Sequence, residues 1–114
     1  MESKRQERIQ KLLQRDIGEI FQREMGHVTQ HAMVTVTKIY VTPDLSLARV
    51  YLSLFAVDDK VVLMKKIAKH TKEIRGKLGA RIRHQLRVVP DLQFFEDDSL
   101  DYIDRIDDLL KDDQ

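Results

Sequence analysis

The feature that most constrains this chain is the stretch AMVTVTKIYVTPDLSLARVYLSLF, residues 32–55. Val, Thr, Ile and Tyr crowd it, and Thr42-Pro43-Asp44 breaks it in the middle. Residues of this kind fit a pleated, half-buried surface, and Pro-Asp favours a turn. The pattern predicts a hairpin with strands at 33–41 and 47–55 and a turn over 42–46. In the second strand Ala48, Val50, Leu52 and Leu54 share one face, and Arg49, Tyr51 and Ser53 share the other. The first strand changes parity: Val34 and Val36 are even, Ile39 and Val41 odd. An extra residue in the strand, or burial of its second half on both faces, accounts for the change. A two-stranded ribbon is not stable alone, so the flanking segments must cover it.

Those segments have helical spacing. Ser3 is placed to cap a first helix in which Ile9, Leu12, Leu13, Ile17, Ile20 and Phe21 form an apolar face. Lys4, Arg8, Lys11 and Arg15 make a basic stripe nearly opposite, and Gly26 reads as a stop. From Lys60 to Leu86 the apolar residues Leu63, Ile67, Ile74, Leu78, Ile82 and Leu86 again recur helically. One helix of that length would run roughly 40 Å, too long for a compact domain of this size to cover on one side. A break between about 69 and 76 is therefore expected. Val88, Val89 and Leu92 to Phe95 predict a third strand, with Pro90 at an edge or in its first part. Ser99 is placed to cap a last helix carrying Leu100, Ile103, Ile106 and Leu110. The expected architecture is α+β: a type II K-homology-like domain, α-β-β-α-kink-α-β, with a C-terminal helix. At 114 residues the chain is read as one domain, residues 1–114, with 99–114 an acidic helix or tail.

Charge divides the chain more sharply than its net value of +1 implies. Residues 60–87 hold ten Lys/Arg and one acid, Glu73; residues 88–114 hold two basic residues and ten acids. A block so basic exceeds what solubility needs, and phosphate contact is its simplest use. The candidate RNA-binding residues are Lys65, Lys66, Lys69, Lys72, Arg75, Lys77, Arg81, Arg83 and Arg87, with the stripe Lys4, Arg8, Lys11 and Arg15. Gly76-Lys77-Leu78-Gly79 has the GXXG spacing by which some K-homology loops admit a nucleic-acid backbone. Yet Leu78 is in register with Ile74 and Ile82, which favours two glycines inside a helix; both readings stay open.

Other chemistry is poorly served. His27 and His31 have a metal-compatible i, i+4 spacing but flank a predicted loop without a neighbouring carboxylate or cysteine. The acidic run from Glu96 to Asp113 does not fit an EF-hand loop. No metal, cofactor or catalytic residue is expected. The chain lacks cysteine and any long apolar span, so a cytoplasmic protein that does not span a membrane is expected; a monomer is expected as well.

The stretches MVTVTKIYVTPDLSLARVYLSLF and RVVPDLQFFEDDSLDY, with SKRQERIQKLLQRDI and IRGKLGARIRHQLR, resemble the ribosome-binding factor A family over about residues 3–110. The resemblance implies a non-enzymatic assembly factor that binds the small ribosomal subunit and its rRNA. It also implies a part in maturing the rRNA 5′ end and in growth at low temperature. In that family a helix kink at Ala-x-Gly replaces the GXXG loop. The matching place here is His70-Thr71-Lys72, about two residues too far from Pro90, so the kink falls either there or at Gly76–Gly79. The rival reading is a protein-interaction adaptor acting through its acidic C-terminal helix.

Overall fold

The computed structural model describes residues 2–98. Their elements are α1 (Lys4–Arg23), α2 (Gly26–Thr29), β1 (Met33–Val41), β2 (Leu47–Phe55), α3 (Lys60–Lys69), α4 (Thr71–Ile82) and β3 (Asp91–Glu96). The expected C-terminal helix falls outside the described residues.

β2 is the central strand, antiparallel to β1 and parallel to β3. Both hairpin strands have the predicted limits. The register pairs Val36 with Leu52 but Lys38 with Tyr51, leaving Thr37 as the extra residue. The parity change is thus a β-bulge. Val34 and Val36 before it, and Ile39 and Val41 after it, all face the buried side. The Thr42–Leu45 turn is closed by the Leu45 amide donating to the Thr42 carbonyl at 2.8 Å. Asp44 accepts from Thr42 Oγ1 and from both the amide and hydroxyl of Ser46.

All the long helices cover one face of this sheet. Ile9, Leu13, Ile17 and Ile20 of α1 join Val50 and Leu52 of β2 and Ile67, Ile74, Leu78 and Ile82 of α3 and α4 in one buried cluster. Phe21 meets Phe94 of β3 edge to face, 6.0 Å between ring centres. α1 starts in a capping box: Ser3 Oγ accepts from the Gln6 amide, and Gln6 Oε1 accepts from the Ser3 amide.

α1 also seals the outer edge of β1. Gln6 Nε2 donates to the Val41 carbonyl at 2.9 Å, Gln10 Oε1 accepts from the Val41 amide at 3.0 Å, and Gln14 Nε2 donates to the Val36 carbonyl at 3.1 Å. Three glutamines one turn apart thus satisfy groups that an edge strand otherwise leaves open.

Three expectations need correction. Gly26 does not end the first helix, which stops at Arg23; it opens the one-turn α2. The helical pattern running to Leu86 overstates α4, which ends at Ile82. The Leu86 amide still donates to the Ile82 carbonyl at 3.0 Å, closing one last turn. Val88 and Val89 are not in a strand: β3 begins at Asp91, directly after Pro90, which has no amide hydrogen to give a ladder.

Candidate nucleic-acid interface

α3 and α4 meet at His70, which ends one helix and starts the other. Its backbone, φ −101° and ψ 16°, departs from helical geometry. The local groups fix the break. The His70 amide donates to the carbonyls of Lys66 and Ile67, its Nδ1 lies 2.7 Å from the Lys66 carbonyl oxygen, and Thr71 Oγ1 donates to the Ala68 carbonyl at 2.7 Å. Thr71 Oγ1 thereby takes the Ala68 carbonyl, which a continuous helix would have bonded to a later amide, while the Lys66 carbonyl keeps the His70 amide as its helical partner. The break falls at His70-Thr71-Lys72, and not at Gly76-Lys77-Leu78-Gly79.

Both glycines of GKLG lie inside α4, neither has positive φ, and Leu78 is fully buried. The structure places no loop there to clamp a backbone.

The thirteen candidate basic residues separate by what they touch. Lys65, Lys66 and Lys69 lie on neighbouring turns of α3, and Lys72 follows in the first turn of α4. All four are exposed, and none forms an ion pair within the described residues. Arg83 and Arg87 are exposed in the loop after α4; Arg83 Nε reaches only His84, at 3.4 Å. Lys4, Arg8 and Lys11 remain open on α1, and Arg15 contacts only Asp16, at 3.6 Å, with its side chain 64% exposed.

The remaining three turn inward. Arg75 donates from Nη2 to the Val89 carbonyl at 2.7 Å and from Nε to the Pro90 carbonyl at 3.1 Å, holding the approach to β3. Lys77 stands 3.7 Å from Glu73 and 4.0 Å from Glu24. Arg81 binds Glu19 at 2.6 Å, Asp16 at 3.3 Å and Glu24 at 3.5 Å, joining α4 to α1 and the turn after it. The hydrogen bond from Arg81 holds the Glu19 carboxyl below the usual carboxylate range, and Glu19 in turn raises the Arg81 guanidinium.

Glu73, the one acid of the 60–87 block, is occupied too. Its carboxylate is 2.9 Å from His27 Nε2, and this hydrogen bond, with the charges of His27, Lys77 and His70, lowers its pKa. His27 therefore faces Glu73 across α2 and α4 and does not pair with His31. Among the described residues no three His, Asp or Glu side chains converge as a metal site.

The result is a short basic ridge around the kink, with a second pair of arginines at the far end of α4, about 18 Å of helix away. Strong positive charge with few local counterions favours polyanions and makes their binding salt-dependent.

A helix, a bulged hairpin and a crossover of two helices broken at His70 into a parallel third strand define a type II K-homology-like α+β domain. The sequence profile described as ribosome-binding factor A matches residues 5–110, and the chain belongs to that family. It is 39% identical over 110 residues to ribosome-binding factor A of Cytophaga hutchinsonii, covering 96% of this chain and 83% of that one. The crystal structure of ribosome-binding factor A from Thermus thermophilus is similar with a TM-score of 0.68 at 19% identity, covering 80% of this chain and 93% of that one. A homology model of the Thermus thermophilus factor, fitted into a cryo-EM map of its 30S complex, is similar with a TM-score of 0.63 at 20% identity, covering 78% and 91%.

Proposed function

We infer that this protein is a non-enzymatic assembly factor of the small ribosomal subunit. Lys65, Lys66, Lys69 and Lys72 at the kink, Arg83 and Arg87 after α4, and the α1 stripe of Lys4, Arg8, Lys11 and Arg15 contact rRNA phosphates. Arg75, Lys77 and Arg81 hold the scaffold that presents them. The factor acts in the cytoplasm as a single-domain monomer on immature subunits and their precursor rRNA. Its role includes maturation of the rRNA 5′ end and support of growth at low temperature.

Membership of the family supports the ribosomal part of this reading, as does the fitting of the Thermus thermophilus relative into a 30S complex. The observation that carries the RNA part is the run of four exposed lysines at the kink without a carboxylate partner among the described residues. Fixed, unneutralised cations along one helix–helix junction match the regular charge of a nucleic-acid backbone. The helical course of GKLG fits phosphate contact by side chains at the kink.

Sedimentation of the protein with mature and precursor small subunits tests the reading. Co-sedimentation that weakens log-linearly with salt is expected. Failure to sediment with either subunit at low salt overturns it.

A further inference from the structure

Among the described residues, no helix covers the other face of the sheet. Lys38, Tyr40, Arg49, Tyr51, Phe55 and Phe95 share this face, opposite the buried row of β2. Tyr51 and Phe95 stack with 5.4 Å between centroids, and Arg49 lies over Tyr40 at 5.9 Å. Phe55 is 63% exposed and Phe95 40%. Exposed aromatic side chains gathered on one sheet face are candidates for burial by another segment.

The anchoring of Asp97 just after β3 bears on what covers this face. The parity of β3 puts Asp97 on the same side as Phe95. The Asp97 amide donates to the Leu52 carbonyl at 2.7 Å, and its carboxylate accepts from Thr37 Oγ1 at 2.6 Å. Thr37 is the bulged residue of β1, so this contact spans the full width of β2 and holds Asp97 on this face. Residues 99–114 come next in the chain, with Leu100, Ile103, Ile106 and Leu110 at helical spacing and Asp101, Asp104, Asp107 and Asp108 among them. Sixteen residues wound as a helix reach about 24 Å, close to the roughly 30 Å of a nine-residue strand. The carboxylates complement Lys38 and Arg49, the two cations of this face.

We propose that residues 99–114 fold back as an amphipathic segment over the bare face of the sheet, with the apolar stripe against Tyr51, Phe55 and Phe95 and the acids towards Lys38 and Arg49. The ten acids of residues 88–114 also make this face a poor one for RNA. The docking segregates the acidic tail on the side of the sheet away from the basic helices. It does not depend on the ribosomal function.

The chain has no cysteine, so Asp112→Cys creates a single attachment point for a nitroxide on the full-length protein. In its NMR spectrum the amides of Tyr40, Arg49 and Phe55 should lose intensity several-fold, while those of Lys65 to Lys72 keep theirs. Loss at Lys65 to Lys72 instead, with the tail lying over the basic block, overturns the proposal; so does loss confined to residues 96–98. A mixture of nitroxide-bearing natural-abundance chain and nitroxide-free ¹⁵N chain reports contact between copies. Attenuation there equal to that in the single-chain sample overturns the intramolecular assignment. Ile103→Asp combined with Ile106→Asp should restore all three signals without shifting the amides of the α-helical core. Attenuation that survives this pair overturns the apolar docking.

Discussion

Replacing Gly76 with alanine adds a methyl group to the exposed side of α4, where a Cβ would meet no heavy atom within 4 Å. The backbone is already helical, so the native state needs no adjustment. The unfolded chain loses freedom and the helix gains a better former, together worth up to about 1 kcal/mol. For a domain of this order that corresponds to a rise in Tm of about 4–8 °C per kcal/mol. Gly79 is the internal control. Its added Cβ would stand 3.3 Å from Val89 Cγ2, so the loop before β3 must yield by a few tenths of an ångström. Crowding of that kind offsets or reverses the propensity gain, and Gly79→Ala should melt below Gly76→Ala. Thermal unfolding followed by circular dichroism ranks the variants, and sedimentation with small subunits measures binding. Gly76→Ala should bind as the unaltered protein does. If it melts lower, or melts higher yet binds many-fold more weakly, the helical assignment of GKLG is refuted.

Arg81→Ala should chiefly lower stability, because Asp16, with its side chain 9% exposed, keeps only Arg15 at 3.6 Å; the loss should be about 1–3 kcal/mol in a denaturant titration. Lys69→Ala with Lys72→Ala should do the reverse, leaving the melt unchanged and flattening the salt slope of subunit binding by about one for each phosphate no longer neutralised. Gln10→Ala leaves the Val41 amide without its partner and should cost about 1 kcal/mol; an unchanged denaturation midpoint would count against sealing of the β1 edge. Glu73 and Glu19 have folded-state pKa values below their ordinary 4.5. Their contribution is therefore complete above about pH 4.5 and lost as pH falls through the lower folded values. Glu73→Gln should make the acid limb of stability shallower, and an identical limb in the variant would contradict the His27 contact.

The hairpin strands were legible because side-chain alternation is a direct consequence of the pleat, and the parity change in MVTVTKIYV left a bulge and burial on both faces open until the pairing register decided for the bulge. The helix break followed from length alone. The end of α4 was not legible: Leu86 keeps the apolar spacing, but the last hydrogen-bonded turn after Ile82 is no longer part of the helix. The glutamines of α1 were missed because polar residues at i, i+4 look like a solvated face unless the edge strand beside them is known. The same limit applies to the basic block. Counting charges from 60 to 87 cannot reveal that Arg81 has carboxylates waiting 57 to 65 residues earlier in the chain. The four kink lysines and Arg81 look alike in sequence; only their neighbours divide them into candidate ligands of RNA and struts of the fold.

The mixed strand order sets the sequence in which the sheet can assemble. β1 and β2 are joined by a five-residue turn, so their register can be found by local search. β3 pairs with β2 only after a crossover of 35 residues, from 56 to 90, has been brought into a loop. The entropy of closing that loop must be met before the parallel pairing returns anything. α3 and α4 shorten the gap if they form first, and the break at His70 lets the pair double back so that Asp91 arrives beside Ser46, where its amide donates to the Ser46 carbonyl at 2.9 Å. A chain leaving its synthesising ribosome could thus hold a finished hairpin while β3 is still inside the exit tunnel, and the sheet closes only once the bent helix pair has emerged.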